Sequence, residues 1–246
     1  SGSGVGPSAG LCFASLGSDT GGSIRYPCAT CGLTGIKPTY GRVSRHGVFP
    51  LADSLDHVGP MARSAADCAV VLKTIAGWDA ADPTSLDVPV PDYTVEVGKS
   101  IRDIRIGIDR AFCFDGVDSQ VAEALEQAIS VFENLGARSV PVTLPPYEDL
   151  VAVWIRMCAI ETAVAHQDTY PSRVAEYGPD LAQLIDEGHS TTAMEAARGH
   201  HLRIAFSGAL ATMFGAVDCM ICPTMTTRVP RLEEMDAYGA DPQVLL

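Results

Sequence analysis

The sequence predicts an α/β fold, a mixed and mostly parallel sheet covered by helices, with residues 1–246 forming a single domain. Three observations carry this reading. DIRIGIDR (103–110), the amphipathic run 118–136 and RSVPVTL (138–144) follow one another as strand, helix and strand, the order that builds layered α/β architectures. Hydrophobic residues make up 47% and charged residues 19%, enough apolar surface for a substantial core. Residues 1–45 are rich in Gly, Ser and Thr but interspersed with Leu, Cys, Phe, Ile and Val. That mixture predicts tight turns and close backbone packing, not a flexible linker.

Each element has its own local reason. ARSAADCAVVLKTIAG (62–77) reads as a helix, with Ser64 as N-cap, Asp67 three residues later as in a capping box, and Gly77 ending the run. Residues 79–98 carry three prolines and several aspartates and predict a surface loop. The alternation in 103–110 predicts a strand. In 118–136, Val121, Ala124, Leu125, Ala128, Val131, Phe132 and Leu135 are expected to share one helical face. Residues 138–144 form the second strand. Residues 148–167 and 191–214 predict two further long helices, and AVDCMICPT (216–224) a buried strand running into Pro223.

The totals exclude several function classes. A net charge of −13 argues against a nucleic-acid partner and against an anionic membrane surface. No run approaches the roughly 18 consecutive apolar residues of a spanning helix. The segment SGSGVGPSAG has no basic region ahead of an apolar one, so it does not read as a signal peptide. It does not begin with Met, and the chain is expected to belong to a longer protein. The eight cysteines fall short of disulfide-scaffold density and mostly sit in apolar runs. They are expected to be small buried thiols in a reducing cytoplasm.

Most candidate motifs are weak. Cys28–Cys31 and Cys219–Cys222 are both Cys-x-x-Cys pairs, but they lie too far apart for a zinc ribbon, and no metal is expected. None of the six histidines forms a HExxH motif. GSGVG (2–6) lacks the GK[ST] ending of a phosphate loop, and no Gly-x-Ser-x-Gly elbow is present.

The segment GSDTGGSIRYP (17–27) is different. Its glycines permit turns in which successive N–H groups converge on one point, as in an anion-binding nest. With Ser23 as a nucleophile, the N–H groups of Thr20, Gly21, Gly22 and Ser23 are placed to receive an oxyanion. Asp19 and Arg25, of opposite charge, flank the turn and can brace it through a charge-assisted hydrogen bond. An ordinary Ser/Gly loop is the alternative, because a GGS turn by itself is not specific.

The turn opens a longer run: Asp19-Thr20-Gly21-Gly22-Ser23-Ile24-Arg25, Gly32 through Pro38, Thr39-Tyr40-Gly41-Arg42, Ser54-Leu55-Asp56 and Gly59-Pro60-Met61. This order strongly resembles the amidase signature family. Asp218…Pro223-Thr224 also looks like the strand bordering that family's substrate pocket, and Cys31 sits where the family often has cysteine. Gly6-Pro7 departs from the alanine-rich helix usual there, since a helix tolerates proline only near its first turn. No role is carried onto His46.

The resemblance implies a hydrolase that cleaves carboxamides through a Ser–cis-Ser–Lys triad. Ser23 matches the nucleophile, Thr20 to Ser23 the oxyanion hole, and Asp19 and Arg25 supporting positions. The cis-serine is expected just upstream of Ser1 and the lysine further upstream, so the α/β/α core would be incomplete at both ends. Residues 1–77 form the signature region, and 148–215 a helical region lining the pocket. The implied activity is a cytoplasmic serine amidohydrolase acting on linear, small-molecule amides through an acyl-enzyme, releasing ammonia or an amine, with no cofactor. A homodimer is compatible with it. Two alternatives stand beside it. One is the glutaminase component of a glutamyl-tRNA amidotransferase, its A-type chain, which supplies ammonia to a partner. The other is a non-catalytic binding protein on the same fold.

Overall fold

The computed structural model describes residues 1–231, 233 and 234. The chain divides into two compact units. The first comprises Ser1–Lys99 with Trp154–Ala197, and the second Ser100–Val153 with the residues from Arg198 onward. Both mix helices and strands, as an α/β fold requires.

In the first unit, α1 (Gly2–Ser8) leads to β1 (Ala14–Asp19), α2 (Arg25–Cys31), β2 (Thr34–Gly35), β3 (His57–Ala62) and α3 (Ala65–Ile75). The three strands form an antiparallel sheet in the order β1-β3-β2, with Ala14 opposite Ala62 and Asp19 opposite His57. Ile24, Cys28 and Met61 pack beneath it with Leu33. Ser64 caps α3 as expected: its Oγ accepts from the Asp67 amide at 3.1 Å and donates to the Asp67 carboxylate at 2.7 Å.

Two elements run against local propensity. β3 is the central strand although it contains Pro60, a residue that normally marks an edge. Pro60 still contributes its carbonyl, which accepts from Ile36 N–H at 3.0 Å. Pro7 lies in the last turn of α1, not near its first, correcting the expectation. Proline removes the N–H that would bond the carbonyl of Ser3. The Ser15 hydroxyl, from β1, donates to that carbonyl at 2.5 Å instead.

The second unit contains β4 (Arg105–Ile108), α4 (Arg110–Phe114), α5 (Ser119–Asn134), β5 (Arg138–Pro141) and, after the helices below, β6 (Cys219–Met220). Here the sheet is parallel, in the order β5-β4-β6. Asp118 caps α5, accepting from Gln120 N–H at 2.9 Å. The buried seam of α5 is narrower than expected. Leu125 and Ile129 are buried against Ile108 and Cys113, while Val131 and Leu135 are more than half exposed. Spacings of four and three along Leu125, Ile129 and Phe132 put those side chains on one stripe, and Val131 falls to its flank.

Three long helices complete the chain: α6 (Glu148–Ala165), α7 (Pro179–Ser190) and α8 (Ala193–Phe214). Among the described residues, no helix is long and apolar enough to cross a membrane. The expected buried strand at 216–224 shrinks to two paired residues, and Cys219, Cys222 and Cys12 are exposed. Among the described residues β6 pairs with β4 alone, at the edge of its sheet. Cys28, Cys68, Cys113 and Cys158 are buried as expected.

Candidate active site

The site is built where β1 ends and α2 begins. Asp19, the last residue of β1, has no exposed surface. Its Oδ2 accepts from the backbone N–H of Ile24 at 3.1 Å and of Arg25 at 3.3 Å, so one carboxylate spans the turn and ties its exit to its entry. The Arg25 guanidinium grips the same carboxylate through Nε at 3.0 Å and Nη2 at 2.9 Å. Lys37, two residues beyond β2, places Nζ 3.1 Å from Oδ1. Burial alone would raise the Asp19 carboxyl. The Arg25 hydrogen bond, the charges of Lys37 and Arg25 and the Ile24 amide outweigh it and hold the group well below the usual carboxylate range.

Lys37 also donates to the carbonyl of Thr20 at 3.4 Å. Burial lowers its pKa, and the Asp19 charge offsets only part of that. Its contacts make it a brace on the turn.

Between Asp19 and Ile24 the backbone is open. Among the described residues, no backbone or side-chain acceptor engages the N–H groups of Gly21, Gly22 or Ser23. Gly22 has φ +146°, a conformation that L side chains rarely adopt. A Cβ there would lie 2.5 Å from the Tyr26 ring, and one on Gly21 would lie 2.0 Å from Cζ2 of Trp154. Glycine is therefore demanded at both positions by an aromatic ring resting on each. Ser23 is exposed and lines an open cleft of about 370 Å³ together with Ser1, Ser3, Ser18 and Tyr26.

A second buried carboxylate steadies the turn from its other side. Thr20 donates its hydroxyl to Asp56 in a short hydrogen bond. The other Asp56 oxygen accepts from the N–H groups of Leu51 (2.8 Å) and Ala52 (3.1 Å), which closes the 51–56 loop. That loop is pinned to α6. Glu161 accepts from Ser54 N–H at 2.7 Å and from the Ser54 hydroxyl at 2.6 Å, and Thr162 donates to the carbonyl of Leu51 at 2.9 Å.

The structure thus brings together every residue singled out in the 17–27 turn: Asp19, Thr20, Gly21, Gly22, Ser23 and Arg25. It adds several that sequence reasoning missed. Lys37 and Asp56 lay inside the quoted signature run without a role. Tyr26 follows directly on Arg25. Trp154 and Glu161 lie on a distant helix, and no local signal links them to the turn. Arranged this way, the turn presents the exposed Ser23 hydroxyl to a cleft beside backbone N–H groups that no acceptor engages among the described residues.

Known proteins resemble this chain over most of its length. A protein of Mycobacterium tuberculosis (strain H37Rv) bearing the amidase name AmiD is 45% identical over 244 residues, covering 99% of this chain and 51% of the relative. The A-type chain of the glutamyl-tRNA(Gln) amidotransferase of Trichlorobacter lovleyi is 46% identical over 173 residues, covering 70% of this chain and 36% of that protein. A chain from a solved complex described as revealing the evolutionary origins of an s-triazine catabolic enzyme superposes with TM-score 0.87. It is 28% identical and covers 94% of this chain and 50% of its own length. The chain spans about half the length or less of the relatives it matches. The family model described as Amidase matches residues 1–246, and the chain belongs to the amidase signature family.

Proposed function

We propose that the full-length protein is a cytoplasmic serine amidohydrolase acting on a small-molecule linear carboxamide. In this reading Ser23 attacks the carbonyl carbon. The N–H groups of the Thr20–Ser23 turn stabilise the tetrahedral oxyanion, ammonia or an amine leaves, and water hydrolyses the acyl-enzyme. Asp19 and Arg25 keep the turn in shape and transfer no proton. The base and a bridging serine are assigned upstream of Ser1, and residues 148–215 to the pocket wall. The single observation that carries this reading is the turn itself: an exposed serine beside unengaged backbone N–H groups, bent by a fully buried carboxylate.

The test is labelling of the full-length protein with a fluorophosphonate, with the adduct mapped by mass spectrometry. The expected adduct is on Ser23, with Ser23→Ala unlabelled and amide hydrolysis reduced by roughly 10³-fold or more. Labelling of another serine, with Ser23→Ala still active, overturns it. A second reading is favoured by the amidotransferase relatives: a glutaminase delivering ammonia to a partner protein. It predicts activity that depends on added partner chains, whereas a stand-alone amidase turns over by itself.

A further inference from the structure

Trp154 is too close to the oxyanion turn to be a bystander. A Cβ built on Gly21 meets Cζ2, Cη2 and Cε2 of this ring at 2.0, 2.7 and 2.9 Å, so the benzo edge of the indole lies directly against the Gly21 backbone. The ring itself is half-buried and retains exposed surface. It is also held in place. Seven residues further along α6, two turns on and on the same face, Glu161 makes its paired hydrogen bonds to Ser54. Ser54 belongs to the loop that Asp56 closes and joins to Thr20. One rigid connection therefore sets both the turn and the ring above it.

The two sides of the reacting carbon differ in chemistry. As Ser23 Oγ bonds to the carbonyl carbon, its proton is taken up, and breaking the C–N bond requires a proton at the departing nitrogen. The bridging serine and base assigned upstream of Ser1 carry that proton, and they approach from the side of the cleft where Ser1, Ser3 and Ser18 line the wall beside Ser23. Trp154 is not part of that wall. The amine belongs on the hydroxyl side, and the acyl substituent is left to face the indole.

Resting on the amidase reading above, we propose that Trp154 is the specificity-determining wall of the acyl subsite and selects flat, apolar acyl groups. Aromatic faces and edges attract one another beyond simple area burial, and aliphatic acyl groups of two or three carbons gain little from such a wall.

The experiment compares kcat/KM of the full-length enzyme with its Trp154→Ala and Trp154→Phe variants on three amides: benzamide, acetamide and acetanilide. The expected result with Trp154→Ala is a loss for benzamide about 10-fold greater than the loss for acetamide or acetanilide, and an intermediate difference with Trp154→Phe. Equal losses on all three substrates in both variants overturn the proposal, as does a loss confined to acetanilide, which would put the ring on the amine side. A Trp154→Ala protein that fails to fold leaves the decision to Trp154→Phe. Fluorophosphonate labelling of the wild type separates the two claims. A labelled Ser23 with no benzamide preference sinks the acyl wall alone, and an unlabelled, inactive wild type sinks both.

Discussion

Two aspartates in this chain make nearly the same bonds and carry different weight. Asp19 takes the Arg25 fork on both oxygens and a backbone N–H from Ile24. Asp218, just before β6, takes the Arg105 fork through Nε at 3.2 Å and Nη2 at 2.7 Å, and the Arg105 N–H at 2.7 Å. The Asp218 side chain is 40% exposed and that of Asp19 is 0% exposed. The hydrogen bond from Arg105 pulls Asp218 down to about 2. Asp19 is depressed further even though burial opposes it, because a second cation and additional N–H groups converge on it. In water an ion pair is screened and competes with hydration, whereas a buried carboxylate must keep every partner it has. The exposed pair decorates a strand end, and the buried one decides the shape of the 19–25 turn.

The largest effect that would sharpen this contrast is expected from Asp19→Asn. It leaves Arg25 and Lys37 facing a neutral amide and costs about 3–5 kcal/mol in urea unfolding, with a loss of kcat/KM of roughly 10²-fold or more. The pH dependence has a definite sign. The folded pKa of Asp19 is depressed, so its contribution is fully present above the unfolded value near 4 and disappears as pH falls below it. The wild type should lose stability faster than Asp19→Asn on acidification, and parallel curves would refute the assignment.

Glu161→Gln should have an intermediate effect. The amide can still accept from Ser54 N–H but loses one charge-assisted bond, so about 1–3 kcal/mol is expected, with Thr20 and Trp154 both loosened. Hydrogen exchange at the 51–56 amides should accelerate, and unchanged exchange there would show that the clamp does not hold the loop.

Asp218→Asn stands at the small end. Its unfolding midpoint should lie within error of the wild type, and whatever difference exists should vanish in 1 M salt, where the Debye length is about 3 Å. A loss as large as that of Asp19→Asn would break the comparison and give the strand end at Asp218 a role beyond its exposure.

Some of this protein is written in short stretches of its sequence. Ser64 with Asp67, and Asp118 ahead of α5, are caps whose partners lie within three residues, so local chemistry alone determined where those helices begin. The alternating apolar residues of β4 and the glycines of the 17–27 turn are equally local, and the order of signature motifs pointed to the family. Tertiary structure decided the rest. It made Pro60 part of a central strand by using its carbonyl, and kept Pro7 in a helix by having Ser15 bond the carbonyl of Ser3. It buried Asp19 between Arg25 and Lys37, and laid Trp154 on Gly21. Periodicity and capping report only on neighbours a few positions away, whereas these contacts join residues whose proximity exists only after the chain has folded and water has been excluded between them.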